Sequence, residues 1–345
     1  MSDSNPVARR HTAIDADWLN KGAEPALEPE LPIVDPHHHL WDHPAHRYLL
    51  HELLADTGSG HDIRATVFVE CLSMYRAGGP EALRPVGETE FVNGIAAMSA
   101  SGNYGAMRAA AGIVGYADLT LGDPVAEVLE AHIAAGGGRF RGIRHAAGWD
   151  ASEEIHNSHT RPPRGLYGHD DFRAGFARLA PLGLSFDAWL YYPQLDDVTA
   201  LARAFPDTSI IMDHVGGVLG IGPHAGRREE IFDTWRQSIR ALAGCPNVTV
   251  KLGGLGMKIC GFEFHRRDTP PSSEELAAAW RPYVETCVEA FGPERCMFES
   301  NFPVDKASAG YGVLWNAFKR LAAGASPAEK AALFHDTAAR VYRLE

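Results

Sequence analysis

The chain has 345 residues, of which 45% are hydrophobic and 22% charged, and its formal net charge is −12. This composition is that of a globular protein able to bury a large core, and it excludes disorder over most of the length. The balance of 32 basic against 44 acidic residues carries no electrostatic signature of nucleic-acid or anionic-membrane binding, so a small-molecule partner is favoured.

The cysteines and the N-terminal sequence indicate the cellular compartment in which the protein is expected. The 5 cysteines have no CxxC spacing, which indicates neither a disulfide framework nor a zinc ribbon. The N-terminal MSDSNPVARRHT lacks the apolar core of a signal peptide, and no segment is apolar for the ~18 residues that a membrane span requires. We therefore expect a cytoplasmic protein without a membrane partner.

In chain order, an arm precedes the folded domain. Residues 1–30 contain scattered charges and prolines without lasting periodicity, which predicts an arm that is flexible or wraps over the surface. In residues 31–345, short β-branched runs alternate with longer segments of helical period, the pattern of repeated βα units.

Eight strand candidates follow one another in that domain. They are PIVDPHH from Pro32, ATVFVEC from Ala65, AGIVGYADL from Ala111, FRGIRHA from Phe140, LSFDAWLY from Leu184, SIIMDHVGG from Ser209, NVTVKLGGL from Asn247 and RCMFESNF from Arg295. Helical segments separate most of them, and no GxGxxG follows the first strand. The pattern predicts a single α/β domain, a (β/α)8 TIM barrel, whose active site lies at the C-terminal ends of the strands.

The first strand ends in three consecutive histidines. Because side chains alternate along a strand, His37 and His39 are predicted to point to one side and His38 to the other. An HxH pair at a strand end is a good platform for zinc, manganese or iron, although hydrogen-bonded histidines that close the barrel mouth have the same pattern. His214, after the sixth strand, is the third candidate ligand; the alternative for it is a satisfied core histidine.

The eighth strand and its loop, RCMFESNFPVDK, offer carboxylates that could act as a general base and take a proton from an attacking water molecule. Strand alternation places Glu299 and Asn301 on one face, with Asp305 in the following loop. Asn301 cannot act as a base, but its amide oxygen can hold a water molecule or a metal. Asp305 is the predicted acid-base group, although an aspartate there is also a suitable helix cap.

Several further strand-end residues are predicted to contact the substrate. Arg144 and Lys251 would make the mouth positive in an otherwise acidic protein, which favours an anionic or carbonyl-rich substrate. A guanidinium can grip a carboxylate with two hydrogen bonds, or it can instead pair with a neighbouring strand-end acid. The full predicted set is Glu70, Arg144, His145, Tyr192 and Lys251.

Long connections follow strands four, six and seven, over residues 148–170, 215–228 and 257–273. Loops of this length commonly cover a site, so we predict that they govern substrate selection. The individual histidines within them, His156, His159, His224 and His265, are interpreted as surface residues.

Together these motifs resemble a known group. VDPHHHLWD, FRGIRH, LSFDAWLYYPQL, IIMDHVGG and RCMFESNFPVDK are similar to motifs of amidohydrolase-related proteins of the amidohydrolase superfamily, and more narrowly of its lactonase-type branch. The similarity runs from about Pro32 to Leu344. It implies a (β/α)8 barrel and water attack on an ester or lactone carbonyl, with His37, His39 and His214 at the family's histidine positions.

Two positions depart from the family pattern. Metal-binding members usually have a histidine after strand five, where this chain has Tyr191 and Tyr192. They also have the aspartate of a GSDWP-like motif in strand eight, where this chain has Asn301. Some lactonases of the branch work without metal but generally keep that aspartate as the base. The resemblance therefore implies that Asp305 or Glu299 replaces it here, or that metal-bound hydroxide forms without its help.

We therefore predict a hydrolase that opens a lactone or related cyclic ester of a small carboxylated or hydroxylated compound. His37, His39 and His214 would bind one divalent metal, zinc or manganese, or act without metal on the carbonyl oxygen. Asp305 would deprotonate the water. One alternative is a non-oxidative decarboxylase of an aromatic or muconate-type acid, and another is a barrel that has lost catalysis and only binds small molecules. Assembly into a homo-oligomer is compatible with such a barrel.

Overall fold

The computed structural model describes residues 14–43 and 46–344. Its strands are β1 (Pro32–His38), β2 (Trp41–His43), β3 (His46–Tyr48), β4 (Asp62–Val69), β5 (Arg108–Gly115), β6 (Phe140–Arg144), β7 (Ser185–Ala188), β8 (Ile210–Met212), β9 (Val248–Leu252) and β10 (Cys296–Phe298). The order β1-β4-β5-β6-β7-β8-β9-β10 forms one parallel eight-stranded sheet. Each predicted segment overlaps one of these strands, so the predicted (β/α)8 barrel is confirmed.

The barrel closes where β1 meets the chain that follows β10. The His39 amide donates to the Phe302 carbonyl at 2.8 Å, and the Asn301 amide donates to the His37 carbonyl at 2.9 Å. His38 and Phe302 form a parallel bridge. Closure therefore brings the histidine run and the strand-eight motif side by side, although more than 260 residues separate them in the chain.

The helices are α1 (Ala16–Asn20), α2 (Leu50–Thr57), α3 (Val86–Ala100), α4 (Val125–Ala135), α5 (Asp170–Phe176), α6 (Leu195–Ala204), α7 (His214–Gly217, a tight turn), α8 (Arg228–Ala243), α9 (Ser273–Phe291), α10 (Tyr311–Leu321), α11 (Pro327–Ala331) and α12 (Thr337–Val341), with a π-helical turn at Ala332–Asp336. Helix α8 shows how they cover the sheet. It buries Ile231, Trp235, Ile239 and Leu242, which fall on one face at helical spacing. The Trp235 indole also donates to the Val215 carbonyl at 2.7 Å, which fixes the turn that carries His214.

The described part of the predicted arm, residues 14–30, lies across the barrel. Trp18 Nε1 donates to the Arg267 carbonyl at 2.8 Å, and Lys319 Nζ donates to the carbonyls of Leu27 and Glu28, each at 2.8 Å. Residues 1–13 lie outside the described residues. Among the described helices, none combines the length and apolarity needed to cross a lipid bilayer.

The short hairpin of β2 and β3 was not predicted. Its strands have three residues each and pair antiparallel directly after β1. Strands this short give no readable alternation in the sequence. The hairpin matters because it places Trp41 and His46 over the barrel mouth.

Candidate active site

Glu299 joins two of the predicted histidines at the centre of the mouth. Its Oε2 lies 2.8 Å from His37 Nδ1, and its Oε1 lies 2.6 Å from His214 Nδ1 and accepts the His214 amide at 3.1 Å. Burial alone would raise the pKa of Glu299, but the adjacent His214 and His37 lower the pKa to about 2. Glu299 is therefore an ionised carboxylate that accepts a hydrogen bond from Nδ1–H of each imidazole, which leaves Nε2 of His214 with its lone pair.

The backbone around His214 is built for close packing. His214 and Val215 have φ of 54° and 46°, in the left-handed region that L-residues rarely adopt. Gly254 has φ +67°, and a Cβ atom there would lie 2.5 Å from His214 Cγ. The imidazole of His214 therefore packs directly against the backbone of Gly254. The ring of Trp189 makes a T-shaped contact with it, with ring centroids 4.8 Å apart.

The predicted alternation along β1 is confirmed. The rings of His37 and His39 lie 5.0 Å apart, whereas His38 points away and pairs through Nε2 with Thr66 Oγ1 at 2.9 Å. His39 Nδ1 donates to the Val69 carbonyl at 2.8 Å, so its Nε2 also carries a lone pair. The His39 ring stacks on Trp41.

Lys251 lies deeper in the barrel than the mouth, on the inner side of His37 and Glu299. It is 0% exposed, with Nζ at 2.6 Å from Asp187, 3.0 Å from Asp213 and 3.2 Å from His37 Nδ1. Burial alone would lower its pKa, but the surrounding carboxylates Asp187, Asp213 and Glu299 raise it, so the ammonium stays charged. Lys251 is absent from the linings of the two cavities described below, so its predicted contact with the substrate stays a prediction.

Arg144 is held by Glu70, the arrangement that the sequence left as an alternative. Its Nε donates to Glu70 Oε1 at 2.7 Å and its NH2 group to the Glu70 carbonyl at 2.6 Å, while NH1 lies 3.4 Å from both Asp213 and His37 Nε2. Glu70 Oε2 lies 3.0 Å from His159 Nε2, whose side chain is 16% exposed. The interpretation of His159 as a surface histidine is therefore wrong, because its loop folds back into the mouth.

Two adjoining cavities open above Glu299 and its histidines. The inner cavity, about 140 Å³, is lined by His39, Trp41, Cys71, Leu72, Arg144, His159, Trp189, His214, Met257, Asn301 and Val304. The outer cavity, about 230 Å³, shares Arg144, His159, Trp189, Met257 and Val304 with it and extends toward the solvent. The predicted site residues His39, Arg144, His214 and Asn301 thus line one cavity.

The other predicted residues have different surroundings. Asp305 is buried and accepts from the Gly256 amide and from Asn301 Nδ2, each at 2.8 Å, and burial raises its pKa to about 7. His145 Nδ1 accepts from the Leu119 amide, and Tyr192 pairs with His224 in the outer loops. Together with Glu70, these residues are absent from the linings of both cavities.

The donor set fits a divalent metal. Of the described residues, His37, His214 and Glu299 offer ligand atoms that all lie within 4.8 Å of one another. Two imidazoles and one carboxylate are the ligands of many catalytic zinc sites. The predicted trio had His39 in place of Glu299. Sequence alternation placed Glu299 on the same face as Asn301, but no local pattern distinguished it as a candidate ligand.

The charges around the site also accommodate a cation. Four buried carboxylates, from Glu70, Asp187, Asp213 and Glu299, face the two fixed cations Arg144 and Lys251. Buried charges are stable only when they are compensated. The surplus of negative charge is of the size that a divalent ion or protonated histidines would offset.

Comparisons with known proteins agree with the fold and the motifs. The family model described as amidohydrolase matches residues 34–344. The chain is 34% identical over 341 residues to an uncharacterised protein, y4mH, of Sinorhizobium fredii, covering 91% of this chain and 99% of the relative. It is 29% identical over 239 residues to an L-fucono-1,5-lactonase of Burkholderia multivorans, covering 68% of this chain and 72% of the relative. An amidohydrolase crystal structure from Burkholderia multivorans with bound zinc is similar with a TM-score of 0.68 and 26% identity, covering 91% of this chain and 99% of that chain.

Proposed function

The chain belongs to the amidohydrolase family, and we propose that it is a hydrolase that opens the ring of a lactone or related cyclic ester of a small hydroxylated or carboxylated compound. The observation that carries this proposal is the hydrogen bond between His214 Nδ1 and Glu299 at the floor of a cavity that His214 and Arg144 both line. Such a pair supplies a base, and the guanidinium supplies positive charge for a carbonyl oxygen. The lactonases among the relatives support the same reaction class.

His214 is the residue best placed to move the proton. Because Nδ1 donates to Glu299, the lone pair of Nε2 accepts the proton of a water molecule as the water oxygen attacks the lactone carbonyl carbon. The same proton then passes from Nε2 to the ring oxygen as the ring C–O bond breaks, which yields the free hydroxy acid. Glu299 stabilises the imidazolium that exists between the two steps.

Arg144 and Asn301 orient the substrate in this proposal. The guanidinium lines the cavity and is fixed by Glu70, so it offers positive charge to the developing oxyanion without having to reorganise. Asn301 donates to Asp305 through Nδ2, which leaves its amide oxygen to accept a hydrogen bond from water or from a substrate hydroxyl.

A zinc or manganese ion is the proposed cofactor, held by His37, His214 and Glu299. When bound, it would polarise the carbonyl oxygen and lower the pKa of a bound water molecule. In a metal-bound protein, His214 would be a ligand and would not act as the base that activates water. Lactone hydrolysis by the metal-bound protein would therefore be inhibited by a chelator, and hydrolysis by the metal-free protein would not.

The test is acid release from a panel of sugar lactones that includes L-fucono-1,5-lactone, together with metal analysis of the purified protein. Activity that survives chelation in metal-free protein would assign the proton to His214. Activity that is lost with chelator and restored by zinc or manganese would assign water activation to the ion. Release of carbon dioxide from aromatic acids, or no acid release above the spontaneous rate from any lactone, would overturn the proposal.

A further inference from the structure

The outer cavity has an unusual distribution of charge. Its polar lining consists of Arg144, His46, His156, His159 and Lys258, with Ser158 and Asn157, and among residues 14–43 and 46–344 no carboxylate belongs to the lining. The whole chain has a net charge of −12, and Glu70, behind the lining, already pairs with Arg144 and His159. Lys258 is therefore the lining cation without a paired acid among the described residues. Clefts lined by one sign of charge concentrate ligands of the opposite sign.

Several of these polar groups lack partners within the described residues. Ser158 Oγ and His46 Nδ1 are buried atoms with no hydrogen bond. Lys258 is exposed at the cavity rim, and none of the ion pairs found in the described residues includes it. Buried polar atoms are normally hydrogen-bonded, so unpaired donors around one cavity point to a ligand that completes them.

The geometry also relates this pocket to the reacting centre. Arg144, His159 and Trp189 line both cavities, so the two cavities adjoin, and a substituent on a ring in the inner cavity would reach the outer one. The remaining wall is apolar, formed by Tyr191, Ile259 and Pro303 with other residues. A planar anionic group between that wall and the basic side chains would satisfy both sides.

We propose that the outer cavity binds a carboxylate carried by the substrate, with Lys258, His156 and Ser158 as the residues that select it. The substrate would then be an acid lactone, such as the lactone of a sugar diacid, rather than a neutral sugar lactone. This inference rests on the proposed lactone hydrolysis for its catalytic test, while its binding test stands by itself.

The catalytic test compares two lactones that differ at one carbon. D-glucaro-1,4-lactone has a carboxylate where D-glucono-1,4-lactone has a hydroxymethyl group. We expect the wild type to prefer the glucarolactone in kcat/KM, and Lys258→Met to reduce that preference about tenfold through KM, the loss expected for one charge-assisted hydrogen bond at a partly exposed site. Lys21→Met, at an exposed lysine of the arm, is the matched control and should keep the wild-type ratio.

The binding test uses the open-chain acids glucarate and gluconate in titration calorimetry. Tighter binding of glucarate that weakens in Lys258→Met supports the carboxylate site, even if neither lactone is hydrolysed, in which case only the proposed function fails. Equal binding of the two acids by the wild type overturns the inference. A glucarate preference that is unchanged in both Lys258→Met and His156→Gln overturns the assignment of the site to these residues.

Discussion

The barrel mouth has a floor, formed by the buried residues around Glu299, and a rim, formed by the exposed residues of the outer cavity. Both contain titratable side chains, but those of the floor are paired with one another and, within the described part of the chain, those of the rim are not. At the floor, Glu299, Lys251 and Asp213 are fully buried, and their charged groups lie within ion-pair distance of one another or of an imidazole. At the rim, Lys258 and His156 are exposed, and none of the hydrogen bonds found among the described residues involves their side chains. Buried ion pairs cost desolvation and are retained where geometry must be fixed, whereas unpaired surface charges remain available to a ligand.

This difference separates two tasks that the sequence presented together. The floor holds the imidazoles in one tautomer and one orientation, as a reaction centre requires. The rim has groups that are still free to bind. Substitutions at the floor should therefore affect chemistry and stability together, and substitutions at the rim should affect selectivity alone.

The largest effect is expected for Glu299→Gln. The glutamine amide would donate to Nδ1 of His214 and move the lone pair away from the cavity, so lactone kcat should fall on the order of 10³-fold. Steady-state assays measure this, with circular dichroism to verify folding and Glu285→Gln, on the exposed face of α9, as control. Activity within tenfold of the wild type would contradict the role of Glu299.

Lys251→Met should destabilise the fold strongly. Removing the buried ammonium leaves Asp187 without its cation and leaves Asp213 with Arg144 alone at 3.4 Å, which costs roughly 3–5 kcal/mol in the free energy of unfolding. Urea denaturation measures it, with Arg281→Gln as the comparison because its exposed pair with Glu285 should contribute less than about 1 kcal/mol. Similar losses in both variants would remove the distinction between floor and surface.

Asp305→Asn tests which group acts as the base and how the floor responds to pH. If His214 takes the proton, most lactone activity remains in Asp305→Asn; if Asp305 does, activity is lost.

Burial raises the pKa of Asp305 to about 7 from an ordinary value of 3.8, so between these values the folded chain binds more protons than the unfolded chain. This group therefore contributes less stability as pH rises.

The variant has no such group, so its free energy of unfolding relative to the wild type should improve between pH 5 and pH 8. Urea unfolding at the two pH values measures the change, and Asp207→Asn, at an exposed site, should show none. A relative stability that worsens toward pH 8 would mean that Asp305 is ionised more easily in the folded protein than outside it.

The smallest effect is expected at the rim, where Lys258→Met pairs with Lys251→Met as a matched lysine substitution. Exposed substitutions away from structural contacts usually change stability by less than about 0.5 kcal/mol. Urea unfolding of the two variants in parallel makes the comparison direct. If Lys258→Met lowered the free energy of unfolding about as much as Lys251→Met, Lys258 would contribute to the stability of the fold, and the distinction between floor and rim would fail.

Much of the fold could be predicted because local patterns encode it. Eight short apolar runs at regular spacing were sufficient for the barrel, and period-two alternation separated His38 from His37 and His39. The β2–β3 hairpin was missed because three-residue strands carry no periodic signal. The inward fold of His159 was missed because a loop has no period from which side-chain direction can be inferred.

The sequence by itself determined the architecture, the acidic overall charge and the set of titratable residues at the strand ends, since these depend on composition and short-range order. Only the tertiary structure decided that Glu299 joins His37 and His214, that Arg144 pairs with Glu70 while Lys251 pairs with Asp187, and that Asp305 accepts a hydrogen bond from Asn301. Barrel closure makes those contacts between residues far apart in the chain. Burial at that point then sets which groups are charged, and neither effect can be read from neighbouring residues.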